Sequence, residues 1–208
     1  WTGMGFKTVE FEEEWKKYTG YQYAYYINSS TAGLYMAVDT LKELYNWGDD
    51  DEIISTPLTF ISTNHAIAKN NMKVVFADVD ETLCLDPRSV EEKITDKTRA
   101  LIYVGFGGST GKFKKIVKIC KNHNLRLILD AAHMAGTRYK DGTTPGTNGD
   151  ADITVYSFQA VKNLPTGDSG IICTDDAKLD EIFRKKAWLG INKDTYARTV
   201  NKDGTYKW

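Results

Sequence analysis

Lys162 stands alone in "YSFQAVKNLPTGDSG" (156–170), among small, hydroxyl-bearing and glycine residues, just after a β-like run. An acid, Asp130, closes the apolar run "LRLILD", and His133 follows it by three residues. The segment "NSST" (28–31) precedes a helical pattern, and Phe60 ends "DEIISTPLTF". A lysine can form a Schiff base with a carbonyl, and an acid can pair with the nitrogen of a pyridine ring. A Ser/Thr cluster at a helix start offers hydroxyls and free N–H groups to a phosphate. An aromatic side chain can stack on the ring. Together these groups suit a phosphorylated pyridine cofactor.

Each group has a plainer reading on its own. "NSST" is also a helix N-cap, and Asp130 is also a turn acid after a strand. Lysines are mostly solvated, which covers Lys162, and Phe60 reads as core. His133 reads as a packed, hydrogen-bonded histidine. Asp78 and Asp80 in "ADVDE" read as a solvated strand end more than as a metal pair. The chemistry rests on the combination and its chain order.

The elements that would position these groups alternate along the chain. Helical patterns cover 7–18, about 31–45, 62–70, 89–97, 111–124 and 177–190. Strand patterns cover 23–27, 51–57, 73–80, 99–106, 125–132, 151–158 and 169–176. Alternation of this kind predicts an α/β fold with a mostly parallel sheet. The apolar runs "VVFADV", "ALIYV" and "LILD" suit strands covered on both faces. Ligands of such sheets sit beyond the carboxyl ends of the strands. Ser29–Thr31, Thr59–Phe60, Asp78, Gly107–Gly108, Asp130–His133 and Ser157–Lys162 all fall there.

The 208 residues are enough for one sizeable core. With 27 Lys+Arg against 28 Asp+Glu, the net charge of −1 gives no bulk pull toward nucleic acid or a membrane. Cys84, Cys120 and Cys173 are odd in number and lack CxxC spacing, which predicts reduced thiols in a cytoplasmic protein. No apolar run reaches membrane-spanning length, and no signal-peptide pattern is visible. The chain opens at Trp1, as expected if residues precede it.

From about Tyr18 to Trp208 the chain resembles the DegT/StrS-type sugar aminotransferases, enzymes dependent on pyridoxal 5'-phosphate (PLP). The resemblance is carried by "NSSTAGL" (28–34), "TPLTFISTNHAI" (56–67), "VVFADVDETLCLD" (74–86), "LDAAHMAGTRY" (129–139), "YSFQAVKNLPTGDSG" (156–170) and "LGINKD" (189–194). It implies the aspartate-aminotransferase fold type I: a three-layer α/β/α large domain with a mostly parallel sheet of about seven strands. Lys162 then matches the lysine that carries PLP, and Asp130 the acid that keeps the pyridine nitrogen protonated. His133 matches a residue near the ring hydroxyl, and Phe60 the stacking aromatic. Ser30, Thr31 and Ser157 match the phosphate contacts.

The resemblance further implies a nucleotide-sugar substrate, an amino-acid donor (by family, glutamate) and a homodimer, with no metal. A PLP-type sugar dehydratase is disfavoured, because those relatives carry a histidine where Lys162 stands. A GxGxxG motif, the mark of a nucleotide-binding oxidoreductase, follows no strand. Two departures stand out. Ser30-Thr31 replaces the usual Gly-Thr, and a serine is expected to cost some backbone freedom at a tight turn. The usual G-x-G-G after the lysine is "GDSG" (167–170), where the Ser169 side chain is expected to tighten the loop or alter substrate fit. Family members are nearly twice as long. Residues 1–208 are therefore expected to be the PLP-binding large domain, helix 7–18 included, with the small carboxy-terminal domain missing. A catalytically incomplete fragment or paralogue that keeps the fold is the alternative.

Overall fold

A computed structural model describes residues 5–191, so Asn192–Asp194 of "LGINKD" and the closing "DGTYKW" lie outside the described residues. Seven strands form one sheet: β1 (Tyr23–Ile27), β2 (Glu52–Ser55), β3 (Lys73–Phe76), β4 (Thr98–Val104), β5 (Arg126–Asp130), β6 (Ile153–Ser157) and β7 (Gly170–Thr174). Their order across the sheet is β1-β7-β6-β5-β4-β2-β3. Only β7 runs against its neighbours, pairing antiparallel with both β1 and β6. The other pairings are parallel.

Six helices cover the two faces: α1 (Phe6–Thr19), α2 (Ser30–Tyr45), α3 (Ile61–Lys69), α4 (Pro87–Lys93), α5 (Phe113–Asn122) and α6 (Ala177–Lys186). The period-two alternation of the strands sorts the core into two layers. Leu101, Tyr103, Leu127 and Leu129 pack with Trp15 of α1, Val90 of α4 and Phe113, Ile116 and Cys120 of α5. Ala100, Ile102, Ile128 and Ile153 pack on the other side with Leu34 and Leu41 of α2, Ala66 of α3 and Phe183 of α6. Each buried Leu or Ile contributes roughly 1.5–3 kcal/mol. The expected three-layer α/β/α architecture is what these two cores build.

Several boundaries differ from the sequence expectation. The strand expected to reach Pro57 ends at Ser55, where the chain turns out of the sheet toward α3. The strand expected over 73–80 ends at Phe76 and forms the free edge next to β2, with Lys73 and Phe76 exposed. Val75 packs on one core layer and Val74 on the other, so both faces of this edge strand are covered, though only partly. The helix expected to reach residue 190 stops at Lys186, because Leu189 and Gly190 adopt left-handed backbone conformations. The helix expected over 89–97 spans Pro87–Lys93, started by the Asp86 cap and a proline in its first turn.

Candidate active site

The carboxyl ends of β1, β2, β4, β5 and β6 border a cavity of about 480 Å³. The phosphate end of such a site is built first. Ser29 is extended and its hydroxyl accepts the Ala32 N–H at 3.2 Å, capping α2. The Gly33 N–H bonds the Ser29 carbonyl. Of the first amides of α2, those of Ser30 and Thr31 have no bonded acceptor among the described residues, and both residues line the cavity. Neither Ser29 nor Ser30 has a positive φ, so the backbone cost expected for serine at this turn does not arise.

Asp130 ends β5 and is only 4% exposed. Its Oδ2 accepts the hydroxyl of Thr63 at 2.7 Å, and its Oδ1 accepts the Ala132 N–H at 3.2 Å. Burial pushes the carboxyl above the usual carboxylate range, while these donors and the nearby charges of His133 and Lys162 pull it back. His133 accepts the Gly107 N–H on Nδ1 at 3.2 Å and sits edge-on to Phe106. Burial, then the charge of Lys162, hold its imidazole below the ordinary histidine value.

Lys162 sits on the connection between β6 and β7. Ser157 and Gly170 pair across those strands, and Phe158 N–H to Ser169 O (2.8 Å) and Ala160 N–H to Gly167 O (2.7 Å) extend the pairing. Gly167 at φ 103 makes a turn that other residues rarely adopt. The tip then turns on itself through Lys162 N–H to Gln159 O at 2.8 Å, and Lys162 lines the cavity. The Ser169 side chain is fully buried and hydrogen-bonded to the Thr166 hydroxyl, so it tightens this loop from within. Ser157 is buried at the end of β6, and Phe60, 72% exposed, caps α3 at the cavity rim.

All seven residues singled out by sequence, Ser30, Thr31, Phe60, Asp130, His133, Ser157 and Lys162, border this one cavity. A larger hollow of about 1020 Å³ beside α2 and Trp188 contains none of them. Asp78 and Asp80 also stand apart, and Asp80 is bound by Thr82 and Lys112. Sequence reasoning missed Thr63, and it passed over Gln159 and Asp168 as cavity-lining residues. A threonine inside "STNHAIAKN" carries no signal in one sequence, since its partner Asp130 is 67 residues away.

No helix of the described residues is long and apolar enough to cross a membrane. The family described as the DegT/DnrJ/EryC1/StrS aminotransferases matches residues 1–207. The uncharacterized protein MJ1066 of Methanocaldococcus jannaschii is 38% identical, over 99% of this chain and 52% of its own length. The spore coat polysaccharide biosynthesis protein SpsC of Bacillus subtilis is 37% identical, over 99% of this chain and 51% of its own. The solved structure of DesI, determined in the presence of its TDP-sugar product, superposes with a TM-score of 0.81 at 30% identity. That match covers 93% of this chain and 47% of DesI. The chain thus spans about half the length of the curated relatives it matches.

Proposed function

The chain belongs to the DegT/DnrJ/EryC1/StrS aminotransferase family, and on that premise we propose that residues 1–208 are the PLP-binding large domain of a cytoplasmic sugar aminotransferase. The amino donor is glutamate and the acceptor a nucleotide-linked keto-sugar. One observation carries the reading: Lys162, buried Asp130 and the two unclaimed amides of Ser30 and Thr31 meet in a single cavity. The TDP-sugar product of DesI supports the nucleotide-sugar class.

The residues present fit PLP. A buried acid with a raised carboxyl is matched by a protonated ring nitrogen, which restores its charge. Two free amides at a helix start, with Ser157 lining the same cavity, fit a phosphate. Bound PLP supplies an electron sink that lets an amino group leave one carbon and join another. Lys162 supplies the amine that holds the cofactor and then carries protons at its Nζ. Asp130 fixes the charge at the ring nitrogen, His133 orients the ring edge, and Phe60 covers its face.

Exposed apolar side chains at and beside the rim, Phe60, Ile61, Val161 and Leu164, support a homodimer with its sites near the subunit contact. Light scattering at working concentration with PLP present is expected to give twice the chain mass.

The test of the function is direct. Protein mixed with PLP is expected to turn yellow, and borohydride followed by peptide mapping to place the adduct on Lys162. Glutamate and a panel of nucleotide keto-sugars, assayed with the full-length protein, are expected to yield an amino-sugar nucleotide. An adduct on another lysine, or no amination across the panel, overturns the proposal.

A further inference from the structure

Asp130 is the end of a chain of hydroxyls. Thr63, fully buried on α3, places its Oγ1 2.7 Å from Asp130 Oδ2. The Thr59 hydroxyl lies 2.8 Å from the same Thr63 oxygen and lines the cavity. The direction of this chain follows from counting protons. An ionised carboxylate only accepts, so the one hydroxyl hydrogen of Thr63 goes to Asp130. Thr63 then has only lone pairs to offer Thr59, so Thr59 is the donor of that bond. Two side chains four residues apart, Thr59 just before α3 and Thr63 in its first turn, thus point their dipoles the same way, toward the carboxylate.

We propose that Thr63 is a positioning residue of the cofactor site, and that the relay from Thr59 through Thr63 holds the Asp130 carboxylate ionised and in place. This rests on the PLP reading above. Thr63 never touches the cavity, so it acts only through Asp130. Its hydroxyl and the Ala132 N–H take one lone-pair direction on each carboxylate oxygen, which stops rotation about the side chain's last bond. What remains of the carboxylate faces the cavity. Among the described residues, the charged or titratable groups that bear most on Asp130 are His133, three residues on along its own segment, and Lys162, on the β6–β7 connection. Neither donates a hydrogen bond to it in this structure, so the hydroxyl relay is its only side-chain hydrogen-bonding support among the described residues. Thr59, spent as a donor to Thr63, offers only acceptor lone pairs to the cavity, so a ligand group beside it must be a donor.

The test reads Asp130 in the cofactor-free protein, by carbon-13 NMR titration of its labelled carboxyl. Thr63→Val keeps shape and removes the donor, and it is expected to raise the titration midpoint by about one pH unit. Thr59→Val is expected to raise it by less, and Thr63→Ser to restore the parent midpoint. In the loaded protein, the pH at which the PLP absorbance changes is expected to move in the same order. An unmoved midpoint in folded Thr63→Val, or in Thr59→Val should the first variant fail to fold, overturns the relay. A failed PLP reading shows itself differently: Lys162 takes up no borohydride-stable adduct while the Asp130 midpoints still shift.

Discussion

Gly170 and the Ser30 amide sit so close that a Cβ at position 170 would lie 2.9 Å from the Ser30 nitrogen and 2.6 Å from the Tyr156 carbonyl oxygen. The absence of a side chain at the start of β7 therefore leaves room for the amino end of α2. Gly170→Ala is expected to cost about 1–3 kcal/mol of stability, because backbone atoms on both sides must shift. Displacing the Ser30 N–H is also expected to weaken PLP binding roughly tenfold. Urea unfolding and a fluorescence titration with PLP measure the two effects separately.

Asp130→Asn separates stability from chemistry. The folded chain holds the Asp130 proton to higher pH than the unfolded chain does. Its contribution is therefore fully present below the unfolded carboxyl value, about 4, and is lost as pH rises through the folded value. Without cofactor, the variant is expected to melt higher than the parent at neutral pH, with the gap closing in acid. In the full-length enzyme it is expected to lose about a hundredfold or more in transamination. Melting curves at both pH values, with turnover measured alongside, check both halves.

His133 acts in the opposite sense. Its folded value is depressed, so the unfolded chain takes up a proton first as pH falls through about 6.5. Stability is present above that value and is lost as pH drops toward the folded value. His133→Gln is expected to flatten this slope. Because Nδ1 accepts the Gly107 N–H, nitrogen-15 NMR at neutral pH is expected to find the ring proton on Nε2.

Far from the cavity, Glu12 and Arg184 close the outer edge of β1. Glu12 accepts the Tyr26 N–H at 2.8 Å, and Arg184 donates to the Ala24 carbonyl at 3.2 Å and pairs with Asp180 at 2.8 Å. These are the strand groups that an unprotected edge would offer to another chain. Glu12→Ala is expected to cost about 2–3 kcal/mol by stranding the Tyr26 amide and weakening the hold on Arg184. Chemical denaturation measures the loss, and light scattering is expected to show more aggregation.

Much of the site was legible because its residues lie at strand ends. A strand end is marked by where an apolar run stops, and the runs before Asp130 and Ser157 stop cleanly. The apolar residues of α5, Phe113, Ile116, Val117 and Cys120, recur at helical spacing and are buried on one face. The direction of β7 was not legible, because an apolar run of five residues reads the same in either sense. Nor was the edge position of β3, since Val74 and Val75 do not reveal how many neighbours a strand has. Thr63 stayed hidden for a related reason: its importance lies wholly in a partner distant in sequence, whereas Lys162 and Asp130 advertise their chemistry by residue type. Ser29, in a cluster that reads both as a phosphate site and as a helix N-cap, spends its side chain as the cap, on the Ala32 amide. That leaves the ligand to its neighbours.

The reversal at β7 has an architectural consequence. Since Ser157 and Gly170 are already paired, the segment between them begins and ends at one place in the sheet. A parallel return would have to cross the full height of the domain and would drag a helix with it. Here the lysine rides on a self-closing flap whose length is decoupled from the framework. Apart from Lys162 and Thr166, residues between Ala160 and Gly167 can be exchanged while every strand keeps its register. Such a flap is an interchangeable cartridge, able to retune what faces the cavity without re-engineering the three packed layers behind it.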